Sequence, residues 1–193
     1  MVSTNKYKPN AKERILKTAV KIFAEKGFDA ARVEKIAETA GVPKSLIYYH
    51  FKSKDEILET AIAAFYNEFR RIAGKIMEKA DTGKKSRAEL FRERYKEFLD
   101  DNADLVRVAF IESLKKEAVN SPMIRLADEY LAACGLENED NAEAVKMAAK
   151  VLFANLVPTA AFICLKKQFC EKFSLNDDQA DNTFADMLDH IVS

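Results

Sequence analysis

Apolar residues recur along this chain at helical rather than alternating intervals, and that period predicts a fold built from helices. Asn10 and Glu13 have capping-box spacing, and behind them Ile15, Leu16, Ala19, Val20 and Phe23 fall on one stripe. Gly27 supplies the left-handed residue that ends such a helix. Val33, Ile36, Ala37 and Ala40 mark a second, short helix. Gly41 then reads as a turn, and Pro43 suits the first turn of a third short helix reaching about His50. Ser53 and Glu56 form another capping-box pair. They open a long amphipathic helix whose inner stripe is Leu58, Ala61, Ile62, Phe65, Phe69, Ile72 and Ile76.

The helical period continues beyond 81–83. Leu90, Phe91, Tyr95, Phe98 and Leu99 form a stripe, followed by runs at 105–114 and 123–134, the latter ended by Gly135. A long helix is expected over 142–173, interrupted or bent at Pro158. Asn176, with Gln179 three residues on, starts a last helix whose Ala180, Phe184, Met187, Leu188 and Ile191 mark a narrow seam. With no convincing strand or repeat, the expectation is an all-α chain of about nine helices.

Composition narrows the class. Hydrophobic residues at 48% and charged residues at 32% place the chain among soluble globular proteins. The formal net charge is zero, but residues 1–54 carry 12 Lys/Arg against 5 Asp/Glu, net +7, and the remainder carries −7. A basic first module before an acidic body suggests that the first part meets a polyanion. The three cysteines, Cys134, Cys164 and Cys170, are odd in number and lack metal-ligand spacing, so they read as free thiols of a reducing cytosol. The first ten residues have no apolar signal region. The uncharged run 151–165 is shorter than the ~20 residues of a bilayer span and reads as a helix buried by protein. A cytoplasmic location without membrane contact is therefore expected.

The stretch 33–51 carries the chemistry. Two short helices crossing at a wide angle need small residues where they touch, and Ala37 and Ala40 supply them. Gly41 tolerates the positive φ of a tight turn. Ile36, Val42, Ile47 and Phe51 anchor the inner faces, which leaves Lys44, Ser45, Tyr48 and Tyr49 on the outer start and flank of the second helix. A helix-turn-helix presents that surface to the major groove.

From about Lys12 to Leu58, and most densely from Ile36-Ala37 through Gly41-Val42 to Tyr48-Tyr49-His50-Phe51-Lys52-Ser53-Lys54-Asp55-Glu56-Ile57-Leu58, the sequence resembles the TetR family of transcription regulators. The resemblance implies a DNA-binding domain over 1–54 and a helical effector-binding and dimerisation domain over 55–193. It implies that Lys44, Ser45 and Tyr48 approach base edges and that Tyr49, His50 and Lys54 meet phosphates. Their chemistry suits those roles: lysine donates to guanine O6/N7 or phosphate, and a Tyr ring can lie on a thymine methyl. Two departures stand out. The family commonly has Thr or Ser at the start of the second helix, but Ala30-Ala31-Arg32-Val33 offers no hydroxyl. Asp29 is then the nearest cap, and Arg32 the candidate phosphate ligand. Pro43 replaces a frequent Ser, and Glu34 stands where an Arg can read bases; a carboxylate there would repel phosphate or accept from cytosine N4.

One small reading head covers one half-site, so a twofold dimer on a near-palindrome is expected. The resemblance puts the interface on the last two helices, packed as a four-helix bundle with those of the partner, with Leu152, Leu156, Phe184, Met187, Leu188 and Ile191 as candidates. The 13 Phe residues include Phe65, Phe69, Phe91, Phe98, Phe110, Phe153 and Phe162 on inner faces. They form either plain core or a pocket for an apolar or aromatic effector. With a pocket, the protein is a repressor whose small-molecule ligand shifts the dimer to a state with wrongly spaced reading heads. The alternative is a DNA-bound protein-interaction factor without a small-molecule effector. The sequence has no phosphate loop, carboxylate pair or His/Cys cluster, so no enzyme, cofactor or metal site is expected.

Overall fold

The computed structural model describes residues 10–78, 97–115, 121–133 and 142–192, with the side chains of a few helix-end residues, Ile76 and Ile191 among them, excepted. Phe91, Leu90, Tyr95, Cys134 and Gly135 lie outside the described residues. Among those described there is no strand. Nine α-helices follow one another: α1 (Ala11–Lys26), α2 (Val33–Ala40), α3 (Lys44–His50), α4 (Lys54–Glu78), α5 (Ala103–Lys115), α6 (Pro122–Ala133), α7 (Ala142–Val151), α8 (Val157–Phe173) and α9 (Asp177–Val192). Residues 97–101 are also helical. The chain divides into two compact units at Ala64 and Phe65, ten residues later than the charge pattern suggested. The division falls inside α4, because its buried first turns, with Ile57, Leu58, Ala61 and Ile62, belong to the first unit.

In the first unit, α1 starts with both halves of its capping box: Glu13 N–H donates to Asn10 Oδ1 at 2.9 Å and Asn10 N–H to Glu13 Oε2 at 3.2 Å. Gly27 ends the helix with φ 82° and ψ 149°, a mirror-extended conformation open essentially to glycine, rather than the left-handed helical one expected. Ile15, Ala19, Ile22 and Phe23 point inward, with Ile22 taking the place expected for Leu16 and Val20. Pro43 proves to be the cap of α3 rather than its first residue. At the start of α4, Ser53 Oγ accepts from Glu56 N–H at 3.1 Å, but the Glu56 carboxylate reaches Lys52 N–H at 2.6 Å, one residue earlier than a strict capping box requires.

In the second unit, the predicted interruption near Pro158 is a widening. Residues Leu152–Leu156 form a π-helical turn between α7 and α8, with Val157 N–H donating to Leu152 O. Proline has no N–H to give the carbonyl four residues back, and the wider turn absorbs that loss without ending the helix. Thr159 Oγ1 donates to Asn155 O at 2.6 Å, satisfying one carbonyl of the turn. The whole stretch Ala142–Phe173 is thus long and apolar enough, by length and composition, to cross a membrane. Its most apolar window is 22% buried within this one chain. Asn176 and Gln179 cap α9 reciprocally, at 2.9 and 2.8 Å.

Candidate nucleic-acid interface

A seven-residue helix cannot hold itself together in water, since nucleation costs more than its few hydrogen bonds return. α3 is held by its neighbours. Ile47 and Phe51 are buried, Ile36 and Ala37 of α2 are buried beside them, and α1, α2 and α3 all pack on one another. Gly41 takes the left-handed conformation (φ 64°, ψ 42°) that the turn requires. Val42 N–H donates to Ala37 O at 3.0 Å, and Arg14 of α1 reaches across to donate to Ala40 O at 3.0 Å and Gly41 O at 3.2 Å. The carbonyls of Ala37 and Ala40 at the end of α2 are thereby satisfied and the turn is tied to α1.

With its anchors inward, α3 turns Lys44, Ser45, Tyr48 and Tyr49 to solvent; Tyr48 is 50% and Tyr49 81% exposed. Both rings and their hydroxyls are thus accessible to a binding partner. His50 is half-buried, its ring 5.1 Å from that of Tyr49 and 6.2 Å from that of Phe51. Arg32 is exposed at the N-cap of α2, and its own side chain makes no capping hydrogen bond.

Two lysines have partners that the sequence did not reveal. Lys44 donates to Glu34 Oε1 of α2, and its ammonium lies 5.6 Å from the Tyr48 ring centroid. The hydrogen bond from Lys44 holds the Glu34 carboxyl below the usual carboxylate value, and the same bond raises the Lys44 ammonium. Lys54 donates to three backbone carbonyls of the α1–α2 connection: Phe28 O at 2.7 Å, Asp29 O at 3.1 Å and Ala31 O at 3.2 Å. It also sits 4.5 Å from the Phe28 ring centroid. Its donors are thus engaged by the protein's own backbone. Opposite charges ten residues apart were a readable hint for Glu34 and Lys44. Nothing local to the sequence indicates the Arg14 or Lys54 contacts.

In the second unit, Phe65, Phe69 and Phe98 come together, with ring centroids 4.7 Å (Phe65 to Phe98) and 6.3 Å (Phe69 to Phe98) apart. Phe110 is half-buried. Phe153 does not join them, being 69% exposed, and Phe162 is stacked on Phe184 of α9 at 4.2 Å. Of the interface candidates, Leu152 and Leu156 are buried within the protomer, Phe184 and Leu188 are half-buried, and Met187 is exposed. A different set faces outward: Leu165, Phe169 and Phe173 are exposed at four-residue spacing along α8. Among the described residues no cluster of His, Cys, Asp or Glu is arranged to hold a metal ion.

Residues 15–61 match the domain described as "Bacterial regulatory proteins, tetR family". The uncharacterised HTH-type transcriptional regulator YerO of Bacillus subtilis is 33% identical over 108 residues, which is 55% of this chain and 37% of YerO. The HTH-type negative transcriptional regulator of the biofilm operon icaADBC, IcaR of Staphylococcus aureus, is 33% identical over 61 residues, 32% of this chain and 33% of IcaR. The matched part of the chain thus spans about a third of each of these relatives. Among solved structures, the transcriptional regulator FadR of Bacillus subtilis, in complex with stearoyl-CoA, is similar with a TM-score of 0.60 at 22% identity, over 93% of this chain and 97% of that one. The domain match falls on the three helices that build the exposed face of α3, and the likeness in fold extends through the helical remainder: residues 15–61 carry the domain of the tetR family of bacterial regulatory proteins.

Proposed function

We propose that this chain is a sequence-specific transcriptional repressor that grips a near-palindromic operator as a homodimer and releases it when a small apolar or aromatic ligand binds the helical body. The observation that carries the DNA-reading part is the geometry of α3: anchors Ile47 and Phe51 buried, Lys44, Ser45, Tyr48 and Tyr49 outward. In this reading Lys44, Ser45 and Tyr48 meet base edges, and Tyr49, Arg32 and His50 meet phosphate. Lys54 serves as a positioning residue, because its donors are taken by Phe28, Asp29 and Ala31. The name of IcaR, a negative regulator, supports repression.

The ligand part rests on the aromatic cluster of Phe65, Phe69 and Phe98 and on the stearoyl-CoA bound by FadR, a protein of similar fold. The dimer part rests on the exposed stripe Leu165, Phe169, Phe173, an apolar face that a second copy would cover. That stripe also suits the second reading, a DNA-bound factor whose body holds another protein. Sedimentation separates the two: a dimer in isolation favours the first, a monomer the second. The test of DNA reading is selection of bound fragments from a genomic or random duplex pool with the full chain. Lys44→Ala and Tyr49→Phe should then weaken binding to the enriched duplex at fixed salt, while the melting temperature stays within a degree or two, roughly, as for other exposed positions. Enrichment of no sequence, or unchanged affinity of both variants, refutes the assignment.

A further inference from the structure

The reading surface carries an acidic group that a polyanion-binding face would not be expected to keep. Glu34 and Glu38 both lie on the exposed side of α2; Glu38 is paired with Lys35 at 2.9 Å, within its own helix. Glu34 is paired instead with Lys44, across the Gly41 turn and on the helix that presents Tyr48 and Tyr49. The Lys44 ammonium is thus held from two sides, by the Glu34 carboxylate and over the Tyr48 ring. Both partners are exposed, and a surface ion pair contributes little to folding. Its consequence lies in what the surface offers to DNA.

A carboxylate facing a duplex is repelled by phosphates whatever the sequence. The repulsion is offset only where the carboxylate meets a donor that some base pairs present and others do not. In the major groove those donors are the amino groups of cytosine N4 and adenine N6, while the acceptors suited to lysine are guanine O6 and N7. A carboxylate and an ammonium held side by side therefore present an acceptor next to a donor. We infer that Glu34 is a specificity-determining residue: with Lys44 it forms one donor–acceptor unit that selects a guanine acceptor beside a cytosine or adenine amino group and withholds the ammonium from indiscriminate phosphate contact. This rests on the DNA-reading proposal above.

The test uses the full chain as wild type, Glu34→Gln, Lys44→Gln and the double variant. Each is put through selection from a random duplex pool, then titrated with the enriched duplex and a scrambled duplex of equal length between ~50 and ~200 mM salt, the range in which phosphate contacts are read. Glu34→Gln frees the ammonium. Binding to scrambled duplex should tighten severalfold, and its log–log salt slope should steepen by about 0.9, the signature of one more phosphate contact. The preference for the enriched duplex should fall by about tenfold, within the range of one lost base contact. In the Lys44→Gln background, most of the gain in scrambled binding should vanish, leaving only the relief of the carboxylate's own repulsion.

An unchanged preference and an unchanged slope in Glu34→Gln overturn the inference. So does a gain that survives intact without Lys44, because Glu34 would then act through its own charge alone. A wild type that enriches no sequence overturns the DNA-reading proposal, and this inference falls with it.

Discussion

Replacing Lys54 by methionine separates two roles that a lysine at the start of α4 could play. Methionine keeps most of the apolar stem and removes the ammonium. The group lost donates to Phe28 O, Asp29 O and Ala31 O and lies over the Phe28 ring. Three charge-assisted bonds from one ammonium are not additive; Asp29 O is open to water and the part-buried bond to Ala31 O is long at 3.2 Å, so only the short, part-buried bond to Phe28 O counts in full. Such a bond contributes about 1.5–3 kcal/mol. The ring contact adds about 0.5–1 kcal/mol. The α1–α2 connection should therefore lose about 2–4 kcal/mol of local stability, the sum of those two ranges. At about 1.4 kcal/mol per factor of ten, amide protection there should drop by at least ~30-fold. Hydrogen exchange read by mass spectrometry over 28–36 measures this directly, since that segment reports its own opening. DNA binding should weaken through misplacement of α2, with its salt slope unchanged. Unaltered protection together with a slope reduced by about 0.9 would instead make Lys54 a phosphate ligand and refute the reasoning.

Other outcomes follow from the second unit. The full chain should sediment as a dimer at micromolar concentration, and Leu165→Asp, which puts a charge in the exposed α8 stripe beside Phe169, should yield folded monomer with unchanged helical circular dichroism. A dimer that persists in the variant would clear that stripe of the interface. Cys164 is partly buried, and desolvation raises its thiol above the ordinary value despite the opposing Arg107. A raised value leaves less thiolate at a given pH, so alkylation of the Cys164 peptide at about pH 8 should lag behind that of a free cysteine and keep climbing at higher pH. Alkylation as fast as a free thiol's would show that Cys164 is not shielded as the structure has it.

What the sequence determined by itself was whatever short-range physics governs. The capping pairs Asn10/Glu13 and Asn176/Gln179 fixed two helix starts, and the positive φ at Gly41 fixed the turn. The spacing of Ile36, Ile47 and Phe51 fixed which flank of α3 faces outward. Those signals act over three or four residues, so one chain read in order displays them. Only the tertiary structure decided which distant groups meet. Lys54 reads as a cation at a helix start until the fold brings it to carbonyls 23 to 26 residues earlier. Lys44 reads as a free donor until the turn sets Glu34 beside it. The same limit governed the body: Leu152 and Leu156 are as apolar as Leu165 and Phe173, and composition cannot tell the face that packs inward from the face left exposed. Burial depends on where every other helix lies, and that information is distributed over the whole chain.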